Sequence, residues 1–106
     1  IVVAMPTIEK PVSKVKHQPK GYANLALARD YRAAHRFDDA LKEYDYVVQH
    51  APRLVNQVID DLQVLIQRHV DTPMEAHRIL GDAYMRADRL SEALAEYRFV
   101  LEHTSK

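Results

Sequence analysis

Six histidines, a stripe of arginines and three serines are the side chains of this 106-residue chain whose types could carry chemistry, so their spacing is the first thing to weigh. A metal-binding helix presents two histidines three or four residues apart, as in His-Glu-x-x-His, and no two histidines of the sequence stand at either distance. No cysteine is present to complete a thiolate set. His50 and His103 read instead as helix C-terminal residues, where partial positive charge suits the dipole. His69 belongs to a turn with Asp71, Thr72 and Pro73, in which Asp71 is expected to cap or shape the chain. His17 has no helical partner. Among the serines, Ser91 lies between Leu90 and Glu92 at a helix start, where a hydroxyl serves the backbone. Two glycines give too little backbone freedom for a phosphate-cradling loop, and no Gly-x-Gly-x-x-Gly or Walker pattern occurs. These residues predict no catalytic group, no metal and no cofactor; an enzyme is not expected, since nucleophile, base and oxyanion donor cannot be named together.

What is left is recognition. Leu25, Arg29, Arg32 and Arg36 recur at steps of four, three and four, which on one continuous helix makes a stripe carrying three guanidiniums. Guanidinium binds carboxylates bidentately, so an acidic or C-terminal peptide is the partner this stripe would suit. Asp30, Asp38 and Asp39 lie close enough to offset it, and a solvated helix face is the plainer alternative. Tyr22 and Tyr46 fall outside the packing positions of the chain's internal repeat and read as amphipathic surface aromatics of the kind enriched at interfaces, with packing at the next interface an equal alternative for Tyr46.

The elements that would position these groups follow from composition and periodicity. With 47% apolar against 28% charged residues, the chain can bury a core. Fifteen basic residues balance fifteen acidic ones, so bulk charge argues for neither nucleic acid nor an anionic membrane. The balance is uneven along the chain: Lys10, Lys14, Lys16 and Lys20 face Glu9 alone in residues 1–20, leaving a mildly acidic body. Pro6, Pro11 and Pro19, together with the alternation Val12 to Lys16, predict an extended basic arm or linker over 1–20. The longest apolar run, Ile1 to Met5, is far too short to span a bilayer. The chain opens on Ile1 rather than Met and is expected to be part of a longer, cytoplasmic protein.

From Gly21 onward the pattern is all-α. Helices are predicted over about 22–34, 37–50, 53–69, 74–87 and 90–103, with Pro52 and Pro73 falling between them. In the third, Leu54, Val55, Val58, Ile59, Leu62, Leu65 and Ile66 form one broad stripe that must be buried. Shifting the sequence by 53 residues superimposes Leu27 on Leu80, Tyr31 on Tyr84, Ala34 on Ala87, Arg36 on Arg89, Ala40 on Ala93, Leu41 on Leu94, Glu43 on Glu96, Tyr44 on Tyr97, Val47 on Val100 and His50 on His103. Each copy reads as a helical hairpin, with Ala28 or Gly81 letting two backbones approach closely.

At these positions the sequence resembles the tetratricopeptide repeat, with its spacing W-x2-L-G-x2-Y, A-x3-F, P. The first copy supplies Asn24, Leu27, Ala28, Tyr31, Ala40, Tyr44 and Pro52; the second supplies His77, Leu80, Gly81, Tyr84, Ala93 and Tyr97. The leading tryptophan is absent from both. The resemblance implies antiparallel helical hairpins in a right-handed solenoid: a hairpin at 21–52, an extra helix at 53–70 and a hairpin at 74–104. It also implies a partner groove lined by Tyr22, Leu25, Arg29, Arg32 and Ala33 in the first copy and by Glu75, Arg78, Asp82, Met85 and Arg86 in the second. Arg36 extends that set from the arginine stripe. The lysine and asparagine clamp of chaperone-tail-binding members is not matched by Leu25 and Arg29. The departure is the interval, 53 residues where the family repeats every 34, so that one helix separates the copies. Either all five helices stack continuously, exchanging inner and outer roles in the second copy, or the third helix bridges two separate hairpins.

The resulting expectation is a protein-interaction scaffold for a peptide or partner helix, with a self-association module as its alternative and RNA binding ranked below both. The apolar residues of the basic arm are expected to dock on a helical face. In trans this would make an arm-exchanged homodimer; in cis, an occupant that a partner displaces.

Overall fold

Apolar residues at three- and four-residue steps, interrupted at Pro52 and Pro73, produce helices that end where the sequence changes. In the computed structural model, residues 19–104 are described. They form α1 (Tyr22–Ala33), α2 (Phe37–His50), α3 (Val55–Arg68), α4 (Met74–Arg86) and α5 (Leu90–Thr104), and no strand lies among them. The third predicted helix begins as a 3-10 turn, Pro52–Leu54, in which proline at the first position costs no intrahelical hydrogen bond. The arm lies outside the described residues, and with it the expectation that it docks.

The two copies end their first helices identically. His35 and Asp88 adopt φ 60° and 66°, in the left-handed region usually given to glycine. The next residue closes the motif: the Arg36 N–H donates to the Tyr31 carbonyl at 2.9 Å and the Arg89 N–H to that of Tyr84 at 2.8 Å. Each arginine also lies over the ring of the same tyrosine, 4.9 Å from its centroid. The sequence identities at Tyr31/Tyr84 and Arg36/Arg89 are therefore the two ends of one helix stop. The turn after α3 is built differently from expectation. Thr72, not Asp71, shapes it, its Oγ1 donating to the His69 carbonyl at 2.5 Å and its N–H reaching the same oxygen at 3.1 Å.

One core runs through the molecule. The α3 stripe is buried from Leu54 to Leu65, with Ile66 packed at its edge. Leu62, at its centre, is fully enclosed. Helix α3 packs on both α2 and α4, so it joins the hairpins. Side chains assign the layers: Arg29 of α1 reaches Asp61 of α3, whereas Arg78 and Arg86 of α4 reach Asp45 and Gln49 of α2. Thus α1 faces α3 and α2 faces α4, and the first helix of the second copy shares a layer with the second helix of the first. This is continuous stacking with exchanged roles. Within the second hairpin a Cβ on Gly81 would stand 2.7 Å from the Tyr97 ring, while the first hairpin accommodates the Ala28 methyl against buried Tyr44.

Candidate functional site

The structure distributes the residues of the predicted groove among three different jobs. Leu25, only 1% exposed, shares the core-facing stripe with Ala28 and offers a partner no surface. Arg29 and Arg32 are tied to α3. The Arg29 Nε donates to Asp61 Oδ2 at 2.7 Å and its Nη2 to Oδ1 at 3.2 Å, while Arg32 Nη1 lies 3.6 Å from the same carboxylate. The Tyr44 hydroxyl also donates to Asp61 Oδ2, at 2.9 Å. Burial, reinforced by the Asp61 carboxylate, pushes the Tyr44 hydroxyl well above the ordinary phenol range. Asp61 thus collects three donors from two helices, and the guanidinium of Arg29 is part of the scaffold.

Arg36 does not continue the stripe, because α1 ends at Ala33 and Arg36 sits at the start of α2, 2.7 Å from Asp39. In the second copy Arg78 pairs with Glu75, with Asp82 at 2.8 Å and with Asp45 at 3.5 Å. Its hydrogen bond holds the Glu75 carboxyl below the usual carboxylate range. The other oxygen of Asp82 accepts from the Tyr97 hydroxyl, which burial and this bond push up to about 12. Arg86 donates to Gln49 at 3.0 Å. Of the predicted set, Tyr22, Ala33 and Met85 are exposed and outside these networks. Tyr46 is exposed, its ring tilted against that of His50 with centroids 4.4 Å apart.

A repeated clamp escaped the sequence reading. Asn24 and His77 occupy the position of the family's tryptophan, and each reaches across its hairpin to the repeated glutamate. Asn24 Nδ2 donates to Glu43 at 2.9 Å, and His77 Nδ1 lies 2.8 Å from Glu96 Oε1. The Glu43/Glu96 identity was the available signal.

The most informative surface appears when the copies are compared at the 53-residue offset. Leu41 and Val48 of α2, the helix on which α3 and α4 pack, are 2% and 0% exposed. Their counterparts on α5, Leu94 and Leu101, are 59% and 66% exposed. Leu90, the counterpart of half-buried Phe37, is likewise exposed, and Ala93 is the single fully buried residue of α5. Residues 90, 94, 98 and 101 fall within about 80° of one another on the helix, so Leu90, Leu94 and Leu101 share a face whose edge is Arg98. Arg98 stands where Asp45 takes Arg78 from the covering helix in the first copy.

Two grooves complete the surface. One, of about 320 Å³, runs between α2 and α4 with Leu41 and Ile79 as floor and Asp38, Asp45 and Glu75 at the rim; Arg78 already engages the last two. The other, about 170 Å³, lies between α1 and α3 and is lined by Arg32, His35, Arg68 and His69 with Ala33, Val64 and Leu65. Among the described residues no helix is long and apolar enough to cross a membrane, and no group of three or more metal-ligating side chains occurs. Comparison with protein-family models, with curated proteins and with solved structures finds no match.

Proposed function

We propose that the chain is a protein-interaction scaffold whose docking surface is the open face of α5, and that its occupant is an amphipathic helix of a partner protein. One observation supports this: among the described residues, positions that are half-buried or buried in the first hairpin, Phe37 and Leu41, recur in the second as exposed Leu90 and Leu94. The first hairpin therefore shows what the second lacks. Covering Leu41 takes a helix with apolar residues every three or four positions, as α3 has, and the same spacing suits Leu90 and Leu94. The edge charge narrows the choice. Asp45 receives a guanidinium from the helix above it, whereas Arg98 at the equivalent place calls for a carboxylate. The occupant is thus acidic at that flank, in keeping with the acidic partner expected from the sequence but at a different surface from the predicted groove.

A 14-residue helix with the apolar spacing of Val55–Arg68 and an aspartate placed for Arg98 is the direct probe. Leu94→Asp is expected to weaken its binding about tenfold or more and Arg98→Glu by a smaller factor. Leu27→Asp, on the exposed part of α1, serves as the control and is expected to have no effect. Equal loss in Leu94→Asp and Leu27→Asp would remove α5 as the docking face. If the face instead pairs with a second copy, sedimentation shows a mass that rises with concentration and falls to the monomer in Leu94→Asp.

A further inference from the structure

The cleft between α1 and α3 has a composition that the fold does not require. Among the described residues its titratable lining is wholly basic: Arg32, His35, Arg68 and His69, with no carboxylate. Asp61 is the nearest acid to pair with Arg32, and it is shared: Arg29 holds both of its oxygens and Tyr44 adds a third bond, leaving Arg32 at 3.6 Å. One carboxylate for two guanidiniums leaves an excess of positive charge. Arg68 is exposed and forms no ion pair among the described residues.

The internal repeat acts as a control for the ordinary explanation, that these side chains only complete helix ends. The second hairpin builds the same turn with Met85 in place of Arg32 and Asp88 in place of His35, and Asp88 takes the same left-handed conformation. The turn needs neither an arginine nor a histidine. Carbonyls at the ends of α1 and α3 would repel an anion if they were free, since helix C-termini carry partial negative charge. Several are engaged: the Tyr31 and Arg32 oxygens accept the N–H groups of Arg36 and His35, and the Leu65 and His69 oxygens are capped by the His69 N–H and by Thr72, which offsets part of that charge. The imidazoles are also held in place. His35, Phe37 and His69 pack their rings together with centroids 4.8–5.4 Å apart, over a floor that includes buried Leu65.

From this arrangement we infer that the α1/α3 cleft binds a phosphate monoester, with Arg32 and Arg68 as the charge partners and His35 and His69 as hydrogen-bond donors. A dianion matches two guanidiniums better than a single carboxylate does, and guanidinium forks fit phosphate oxygens in pairs. About 170 Å³ admits one phosphoryl group and the start of its ester chain, not an extended polyanion. The site is built from α1, α3 and the turns that follow them, shares no residue with the α5 face and stands independently of the docking proposal.

The test titrates the whole chain with inorganic phosphate at low ionic strength, following amide and imidazole resonances, with acetate in parallel. Phosphate is expected to shift His35, Arg68 and His69 saturably and acetate to shift them at least fivefold more weakly. Arg68→Gln, which removes an exposed side chain with no ion pair among the described residues, is expected to weaken phosphate binding about fivefold or more with an unchanged melting curve. Arg53→Gln, another exposed arginine, is expected to leave it unaltered. Phosphate shifts that do not saturate, or equal losses in Arg68→Gln and Arg53→Gln, would overturn the inference. A phosphoserine peptide and phenyl phosphate, each compared with free phosphate, identify the source. Tighter binding of the peptide assigns a phosphorylated side chain and tighter binding of phenyl phosphate a small ester; both support the site. Binding of free phosphate alone contradicts it as a monoester site. Leu94→Asp should leave all of these responses in place, which keeps a failure here separate from a failure of the α5 face.

Discussion

Asp61 shows what single residues contribute. Its carboxylate is 12% exposed and accepts from Arg29 and from Tyr44, whose own side chain is fully buried. Replacing it with alanine leaves the Tyr44 hydroxyl unpaired in the core, while Arg29, 41% exposed, regains water. Asp61→Ala is therefore predicted to cost about 1–3 kcal/mol in a urea melt, and adding Tyr44→Phe should recover part of the loss, because the second change removes the stranded hydroxyl. The tyrosines also fix a pH dependence. Both hydroxyls are raised above their ordinary value in the folded protein, Tyr97 to about 12, so the unfolded chain loses these protons first. The sign follows: stability from this source is intact below about pH 10 and declines as pH rises from there. Melting temperatures taken from pH 8 upward should fall above pH 10, and less steeply in Tyr97→Phe. The Arg29–Asp61 bond was not readable in the sequence, because a contact between residues 32 apart leaves no periodic trace. The arginine stripe was visible, but its steps alone could not tell a partner's carboxylate from one supplied by α3.

At the scale of elements, the helix positions were legible to within two residues because proline and the apolar period act locally. The fate of Leu25 was not. Placing it in a groove relied on the family's spacing, whereas its position three residues before Ala28 puts it on the buried stripe. The helix between the two copies explains why the predicted groove did not form: α3 lies beside α1, and its Asp61 pairs with Arg29 and Arg32. Two predictions belong here. Leu62→Asp places a carboxylate in the fully enclosed centre of α3 and should unfold the chain, since the cost of several kcal/mol compares with a total stability of about 5–15. The check is a circular dichroism melt. Gly81→Ala gains helix propensity but drives a methyl group to 2.7 Å from the Tyr97 ring, so it is predicted to destabilise by about 1–3 kcal/mol. Tyr97→Leu, in the same chain, should reduce that penalty by vacating the space.

For the molecule as a whole, the stacking order decides which faces are finished. Because α3 is a single helix, α4 stacks beside α2 and α5 is left with Ala93 as its one fully buried residue. The 53-residue repeat was legible in the sequence; that its two copies have opposite surroundings was not, since identical residues at Leu41 and Leu94 carry no information about what lies over them. Among the described residues the equivalent positions are thus buried at Leu41 and exposed at Leu94, and the difference is the basis for proposing α5 as the partner's face. Hydrogen–deuterium exchange on the complex with the amphipathic helix probe tests this assignment most directly. The account predicts slowed exchange concentrated in residues 90–104, abolished by Leu94→Asp at the same probe concentration. Protection that falls on α1 or on the α2/α4 groove instead, with 90–104 exchanging as in the free chain, would contradict it.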